Sequence, residues 1–404
     1  MMDSRCHLQR LQTACAALAC AALLAACTGR SAEESFAAAK GHIAKNELPA
    51  AIIELKNTLQ AQPDRAEARF LLGKLLLERE DPAGAAIELS KASALKHPPD
   101  QVVPELATAY RLSGQLNKVV ELDASAALTA PEAVARLKTQ LAYAQAAQGA
   151  PDAKVDETLS LALRARADHA PAQLLRARLL YSHRDPEAAM RLVDEVLART
   201  PEDVDALTMK ADMLSARRQG DAAQALYAKA LALKPTDVAA HSGQLAHSLA
   251  KNDLTAAATH LDAMKKARPT HPRTLYFEAR LALQRGDLKA AAVLGQQLLK
   301  IAPERPEILH LVGTVAMQTG EMQMAEQHAR KLFSVAPEAA DSRRLLAALL
   351  MRKGEPAKAL ETIQPLLRAE ATDADTLHMA GQAYMALGDQ QRAEEAFSRA
   401  GQQG

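Results

Sequence analysis

Of the four cysteines in this 404-residue chain, one stands where its thiol invites modification. Cys27 closes an uncharged run from Leu11 to Ala26, in the order Leu24-Ala25-Ala26-Cys27, whereas Cys6, Cys15 and Cys20 lie before or within that run. The twelve histidines offer no metal site by spacing: none stands four residues from another. His241 and His247, six apart, fall on opposite faces of a helix. The histidines are expected to be solvated or to line a groove. Gly-x-Ser-x-Gly is missing, Ser242-Gly243 falls within helical sequence, and no glycine-rich phosphate loop follows a strand. Carboxylates recur as an ordinary solvated helix face. The expectation is a chain that is no enzyme and has no metal or cofactor. What chemistry remains is that of Arg and Tyr, the residues that anchor interfaces.

The elements that must position them are helices. Apolar residues make up 49% of the chain, yet aromatics are only 3% and Trp is absent, so the apolar fraction rests on Ala and Leu. Strands normally use β-branched and aromatic side chains, whereas Ala, Leu and the charged residues that supply 24% of this chain favour helix. With 49 basic and 48 acidic side chains the net charge is +1, so no global field draws nucleic acid.

Arg5 and Arg10 precede the apolar run, which at 16 residues is short for a bilayer span and fits the core of a signal peptide. Its end resembles the lipobox of bacterial lipoproteins. That resemblance implies diacylglycerol on the Cys27 thiol, cleavage before Cys27 and acylation of the new amine. Residues 1–26 would be a signal peptide and 27–30 a lipidated tether. The mature chain would then hold one cysteine and no disulfide. Thr28 stands where an Asp would resemble an inner-membrane retention signal, which points to the outer membrane and its periplasmic face. No later segment reaches 18 apolar residues, so no other membrane span is expected.

The rest is periodic. Pro201, Pro235, Pro269, Pro303 and Pro337 recur at intervals of 34. With proline at about one residue in twenty, four such coincidences have a chance probability on the order of 10⁻⁵. The same slot continues to Ala371 and back through Ala167, Pro131, Pro98 and Pro63. Twelve residues before each slot stand Ala51, Ala86, Val119, Val155, Ala189, Ala223, Ala257, Ala291, Ala325, Ala359 and Ala393. Ten residues after it, a small residue recurs in most units, from Gly73 to Gly381, with Leu141 and Leu245 as breaks. Two small positions per unit suit a close crossing of antiparallel helices. Asn252-Asp253, Gly286-Asp287, Gly320-Glu321, Gly354-Glu355 and Gly388-Asp389 mark turns between the halves. Ser31 with Glu34 forms a capping-box pattern at the start of the first helix.

This pattern resembles the tetratricopeptide repeat, with Tyr227 and Phe397 in its bulky second-helix slot and its first-helix Trp position unused. The resemblance implies an all-α, right-handed superhelical solenoid of about eleven 34-residue repeats over residues 31–404, with first helices lining the concave side. Position 405 would be the next slot, and no distinct polar cap precedes it. The last helix is then either tolerated as an end, or the chain is a piece of a longer array. First-helix positions four, seven, eleven and fourteen after the slot should face inward. They include Glu67, Phe70, Lys74 and Leu77, then Pro171, Leu174, Arg178 and Tyr181, then Arg273, Tyr276, Arg280 and Leu283, then Asp341, Arg344, Ala348 and Met351. Arg178, Tyr181, Arg273, Tyr276, Arg280 and Arg344 are the candidate groove residues. Phe70-Lys74 and Tyr276-Arg280 occupy the places of the Lys-and-Asn carboxylate clamp of chaperone-tail binders, which argues against that activity.

Three stretches resemble something narrower: Ala51–Asn57, Glu67–Gly73, and the segment from Pro98-Pro99 to Val119-Val120. Following a lipobox, they are similar to the opening repeats of tetratricopeptide lipoproteins that accompany exosortase and PEP-CTERM sorting systems. That resemblance implies an accessory role in surface export or exopolysaccharide assembly, with a protein partner or an anionic exopolysaccharide in the groove. A scaffold in outer-membrane protein assembly, or a regulator of a cell-wall enzyme, would use the same architecture.

Overall fold

The computed structural model describes residues 30–182, 185–368 and 372–402; the expected signal peptide and Cys27 lie outside them. Twenty-two helices and no strand appear among the described residues, and they pair as eleven helical hairpins. The chain divides into two compact units, one ending at Arg199 and the other beginning at Thr200, with five hairpins and six.

The first hairpin, α1 (Ala32–Ala44) and α2 (Leu48–Ala61), opens as its sequence requires. Ser31 accepts a hydrogen bond from the Glu34 N–H while the Glu34 carboxylate accepts from the Ser31 N–H, which satisfies two otherwise orphaned groups. Asp side chains cap later helices in the same way at Asp81, Asp203, Asp237, Asp253, Asp287, Asp373 and Asp389. The turns within hairpins, where they are described, contain a left-handed residue. Asn252, Gly286, Gly320, Gly354 and Gly388 all supply it with φ between 57° and 81°. The slot prolines Pro201, Pro235, Pro269, Pro303 and Pro337 each stand two residues past a helix end, where the missing N–H costs nothing.

All eleven small landmarks twelve before the slot are buried, ten of them Ala or Val with at most 1% of their surface exposed and Ala86 with 4%. The second set is buried as well, except Thr108, which is half-buried. Apolar contacts form a series of neighbouring clusters, not one central core. From the second hairpin onward, consecutive first helices touch each other within a unit, and consecutive second helices make no comparable contact. First helices therefore line the inner side of each unit and second helices its outside.

The drift in repeat length has a local cause. In the third hairpin, α5 (Pro99–Leu112) is followed by a short α6 (Leu116–Ser125), and Pro131 itself opens the next helix, α7 (Pro131–Ala147). Asp100 holds the irregular link. Its carboxylate accepts from the Thr129 N–H at 2.9 Å, the Thr129 hydroxyl at 2.6 Å and the Ala130 N–H at 3.1 Å. These bonds, the Thr129 hydroxyl first, keep the Asp100 pKa below its usual value despite some loss of solvation.

Three histidines depart from expectation. His169, His241 and His328 are buried, since an imidazole fills the same volume between crossing helices as an aliphatic side chain. No helix among the described residues is long and apolar enough to cross a membrane.

Candidate functional site

Four of the six candidate groove residues belong to the second unit. Arg273, Tyr276 and Arg280 lie along α15 (Pro272–Gln284), and Arg344 lies on α19 (Ala340–Arg352), with α17 (Pro306–Thr319) between them in sequence. All three are first helices, the helices that line the inner side of this unit.

Tyr276 and Arg280 are one turn apart on α15. The Arg280 guanidinium sits 5.9 Å from the Tyr276 ring centre and 5.8 Å from that of Phe277, within cation–π range of both. Phe277 meets Tyr276 edge-on at 5.3 Å. Tyr276 also packs against the apolar clusters of two neighbouring hairpins, so it serves packing and surface together. Burial pushes its phenol pKa up; Arg280 opposes that, and the Glu307 and Asp341 carboxylates add to it. Arg273 donates to the Ser242 hydroxyl at 3.3 Å.

Arg344 was expected to offer a fork to an incoming carboxylate. Its Nη2 donates to Asp341 at 2.6 Å and its Nη1 lies 2.7 Å from Asp373. Burial opposes its charge, but these carboxylates outweigh burial and raise its pKa. An anionic ligand must therefore compete with two resident acids.

His310 of α17 completes this surface and was not singled out by sequence. Burial lowers its pKa, with Asp341 opposing and Arg344 and Arg280 reinforcing the effect, so the ring is neutral at pH 7 and offers both a donor and an acceptor. The position fourteen after the slot, which the sequence placed inward at Leu283 and Met351, continues as a row of flexible apolar side chains. Leu283, Met317, Met351 and Met385 each stand fourteen residues after a slot; Met317 is buried, Met351 half-buried and Met385 exposed. Thioethers adapt to irregular apolar surfaces. The 34-residue spacing was the available signal.

In the first unit Arg178 and Tyr181 are exposed on α9 (Ala170–Ser182), and Arg178 has no hydrogen bond or ion pair among the described residues. The same unit holds a cleft of about 480 Å³ beside Arg136, Gln140, Arg166 and His169. Its cations are paired: Arg166 with Glu132 at 2.6 Å and Asp168 at 2.9 Å, and Arg136 with Glu105 at 3.0 Å. Burial is the main cause of a lowered His169 pKa there. The cleft is thus a surface of satisfied ion pairs with little unspent charge.

Comparison with known proteins agrees with the hairpin pattern. A tetratricopeptide-repeat family profile matches residues 36–96, 174–238 and 245–306, and a second tetratricopeptide-repeat profile matches 374–400, together more than half of the chain. No curated protein matches the sequence. Similar solved structures include human IFIT1, a dimer with PPP-AAAA, at 19% identity and a TM-score of 0.50, covering 93% of this chain and 91% of that one. A tetratricopeptide-repeat protein from Parabacteroides merdae has 16% identity and a TM-score of 0.42, covering 58% of this chain and 93% of its own. Yeast Tom70 has 13% identity and a TM-score of 0.38, covering 93% and 85%.

Proposed function

The chain belongs to the tetratricopeptide-repeat family, and from that premise we propose that it is a non-catalytic scaffold held by lipid on Cys27 at the periplasmic face of the outer membrane. Its inner surface takes a segment of a partner protein, and its setting is accessory to exosortase and PEP-CTERM sorting and exopolysaccharide export. The observation that carries the binding role is the Tyr276–Arg280 pair on a first helix, with His310 close enough to feel the Arg280 charge and with half-buried Met351 and exposed Met385 on later first helices. A flat ring, a cation and adaptable thioethers suit an amphipathic peptide segment better than a small molecule. An anionic exopolysaccharide is the second ligand class, supported by the arginines and by the lipobox neighbourhood, and weakened by the two carboxylates that already hold Arg344.

A photo-crosslinking side chain at exposed Met385 in the full chain tests the groove in native membranes. Adducts with a partner protein should form, and should be lost in Tyr276→Ala/Arg280→Ala with helicity intact. Persistence of the adducts in that variant would remove the pair from the binding surface. For the anchor, wild type should label with radioactive palmitate and Cys27→Ser should accumulate as unprocessed precursor. Unlabelled wild type would exclude lipid attachment. An exosortase gene beside this one would support the sorting role.

A further inference from the structure

The outer face of the first unit is not uniform. In each second helix, one position lies two residues before the aliphatic that packs inward. In the first two hairpins that position, the sixth of the helix, holds Ile53 on α2 and Ile87 on α4 (Pro82–Ala94), ahead of buried Leu55 and Leu89. On α6 the sixth residue is Glu121, and Val120 stands one residue before it, ahead of half-buried Leu122. Ile53, Ile87 and Val120 are exposed by 59%, 56% and 42%. The next two hairpins hold charged, exposed Glu157 on α8 (Asp152–Ala165) and Arg191 on α10 (Pro186–Arg199) at the sixth position. Three successive outward aliphatics at the N-terminal end, followed by charge, form a patch with a direction.

The acids beside the first two aliphatics are turned inward and neutralised. Glu54 pairs with Arg30 at 2.8 Å, and Glu88 pairs with Arg69 at 2.6 Å; the two carboxylates are largely buried. Lys56 and Lys91 remain exposed within a turn of Ile53 and Ile87. Glu121, beside Val120, is an exposed exception. The Arg30 pair has a further consequence, because it fastens the base of the N-terminal tether to the helix that carries Ile53. Cys27 precedes Arg30 by three residues, a reach of at most about 11 Å.

We propose that Ile53, Ile87 and Val120 rest on the lipid surface to which Cys27 is attached, so that the outer face of the first three hairpins lies against the membrane and the inner face turns away from it. This rests on the anchoring reading above. An acyl anchor fixes position without orientation. Exposed aliphatics flanked by lysine supply the orientation by entering the headgroup boundary of an anionic bilayer.

The test uses the full lipidated chain in mixed phosphatidylethanolamine–phosphatidylglycerol vesicles. Single cysteines at Ile53, Ile87, Val120 and, for comparison, Glu157 carry an environment-sensitive fluorophore. Lipids with nitroxide-labelled chains should quench the first three on the order of twofold and leave the label at 157 unchanged. Equal quenching at 53 and 157 would mean that the dye partitions by itself, and would overturn the proposal. A chain that floats with the vesicles but shows no quenching at 53, 87 or 120 overturns the orientation and leaves the anchor standing. A chain that remains in the soluble fraction overturns the anchor and the orientation together. Disulfide-linked dimers formed through the cysteine at 53 would assign the patch to a second copy of the chain instead.

Discussion

The ring of Tyr227 occupies the space that any side chain on Gly243 would need. A Cβ at Gly243 would lie 2.1 Å from Tyr227 Cζ, and the Tyr227 hydroxyl is held by a 2.5 Å hydrogen bond to Asp212. The ring is therefore tied at its far end and cannot swing aside cheaply. Tyr227 sits on α12 (Gly220–Leu233) and Gly243 on α13 (Val238–Ala250), so the contact joins two successive hairpins.

Gly243→Ala should therefore destabilise the second unit. Alanine gains about 1 kcal/mol of helix propensity, but overpacking against an anchored ring costs about 1–3 kcal/mol, and the close approach places this site at the upper end. A lowered urea midpoint checks it. Truncation in Tyr227→Leu/Gly243→Ala should recover part of the loss; equal midpoints for the single and double variants would refute the ring contact as its cause.

Arg218 carries the opposite kind of defect. It has φ of 61°, as does Glu80 in the second hairpin, in the turn where most other repeats use Gly or Asn. Arg218→Gly should raise stability by roughly 0.5–1 kcal/mol, because relief of left-handed strain exceeds the entropic cost of glycine. A melting temperature at or below that of wild type would show the turn to be unstrained.

Ala291 is fully buried at the crossing of α15 and α16 (Leu288–Ile301). Ala291→Leu should cost about 1–3 kcal/mol. Because each hairpin leans only on its neighbours, hydrogen exchange should accelerate chiefly in the helices of adjoining hairpins. Uniform acceleration across the second unit would mean that the unit opens as one cooperative body.

These sites show what sequence makes legible. The landmarks at Ala291 and its equivalents, the left-handed turn residues and the Ser31 cap follow from short-range rules, and the structure has them where spacing put them. Partnerships across repeats were not legible. Arg344 looked like an open fork because Asp373, 29 residues away, meets it only when one hairpin docks on the next. His328 looked like any polar residue of an amphipathic helix until its neighbours closed over it. The division after Arg199 has no sequence mark either, since Pro201 reads like every other slot.

Burial of histidine sets a pH dependence. His169, His260, His310 and His328 all have pKa values lowered chiefly by burial. In the unfolded chain they protonate near pH 6.5, while the folded chain resists protonation until lower pH. Below about pH 6.5 the unfolded state binds more protons, so stability falls as pH drops towards the folded-state pKa values. The His328 Nε2 is buried with no hydrogen-bond partner among the described residues, which makes its charging especially unfavourable. His328→Leu should flatten the decline in urea midpoint between pH 7 and pH 5, two values that bracket the free imidazole pKa of about 6.5. An unchanged slope would assign the dependence to the other histidines.

Competition for Arg344 gives the sharpest test of ligand charge. Asp341 is well exposed and holds only Nη2, whereas Asp373 holds Nη1 and also caps α21 (Ala374–Ala386) by accepting from the Thr376 N–H. Asp341→Asn therefore frees one prong while the cap stays in place. The substitution removes one negative charge from the inner face and should strengthen binding of poly-glutamate by roughly three- to tenfold, the range of one charge-assisted hydrogen bond partly exposed to solvent. The gain should fade as salt shortens the Debye length below about 8 Å. Arg344→Gln in the same background should erase it, which separates a freed guanidinium from a mere change in net charge. If Asp341→Asn binds the probe no better than wild type, the inner face does not select anions, and the peptide reading built on Tyr276 and the methionine row is the one that stands.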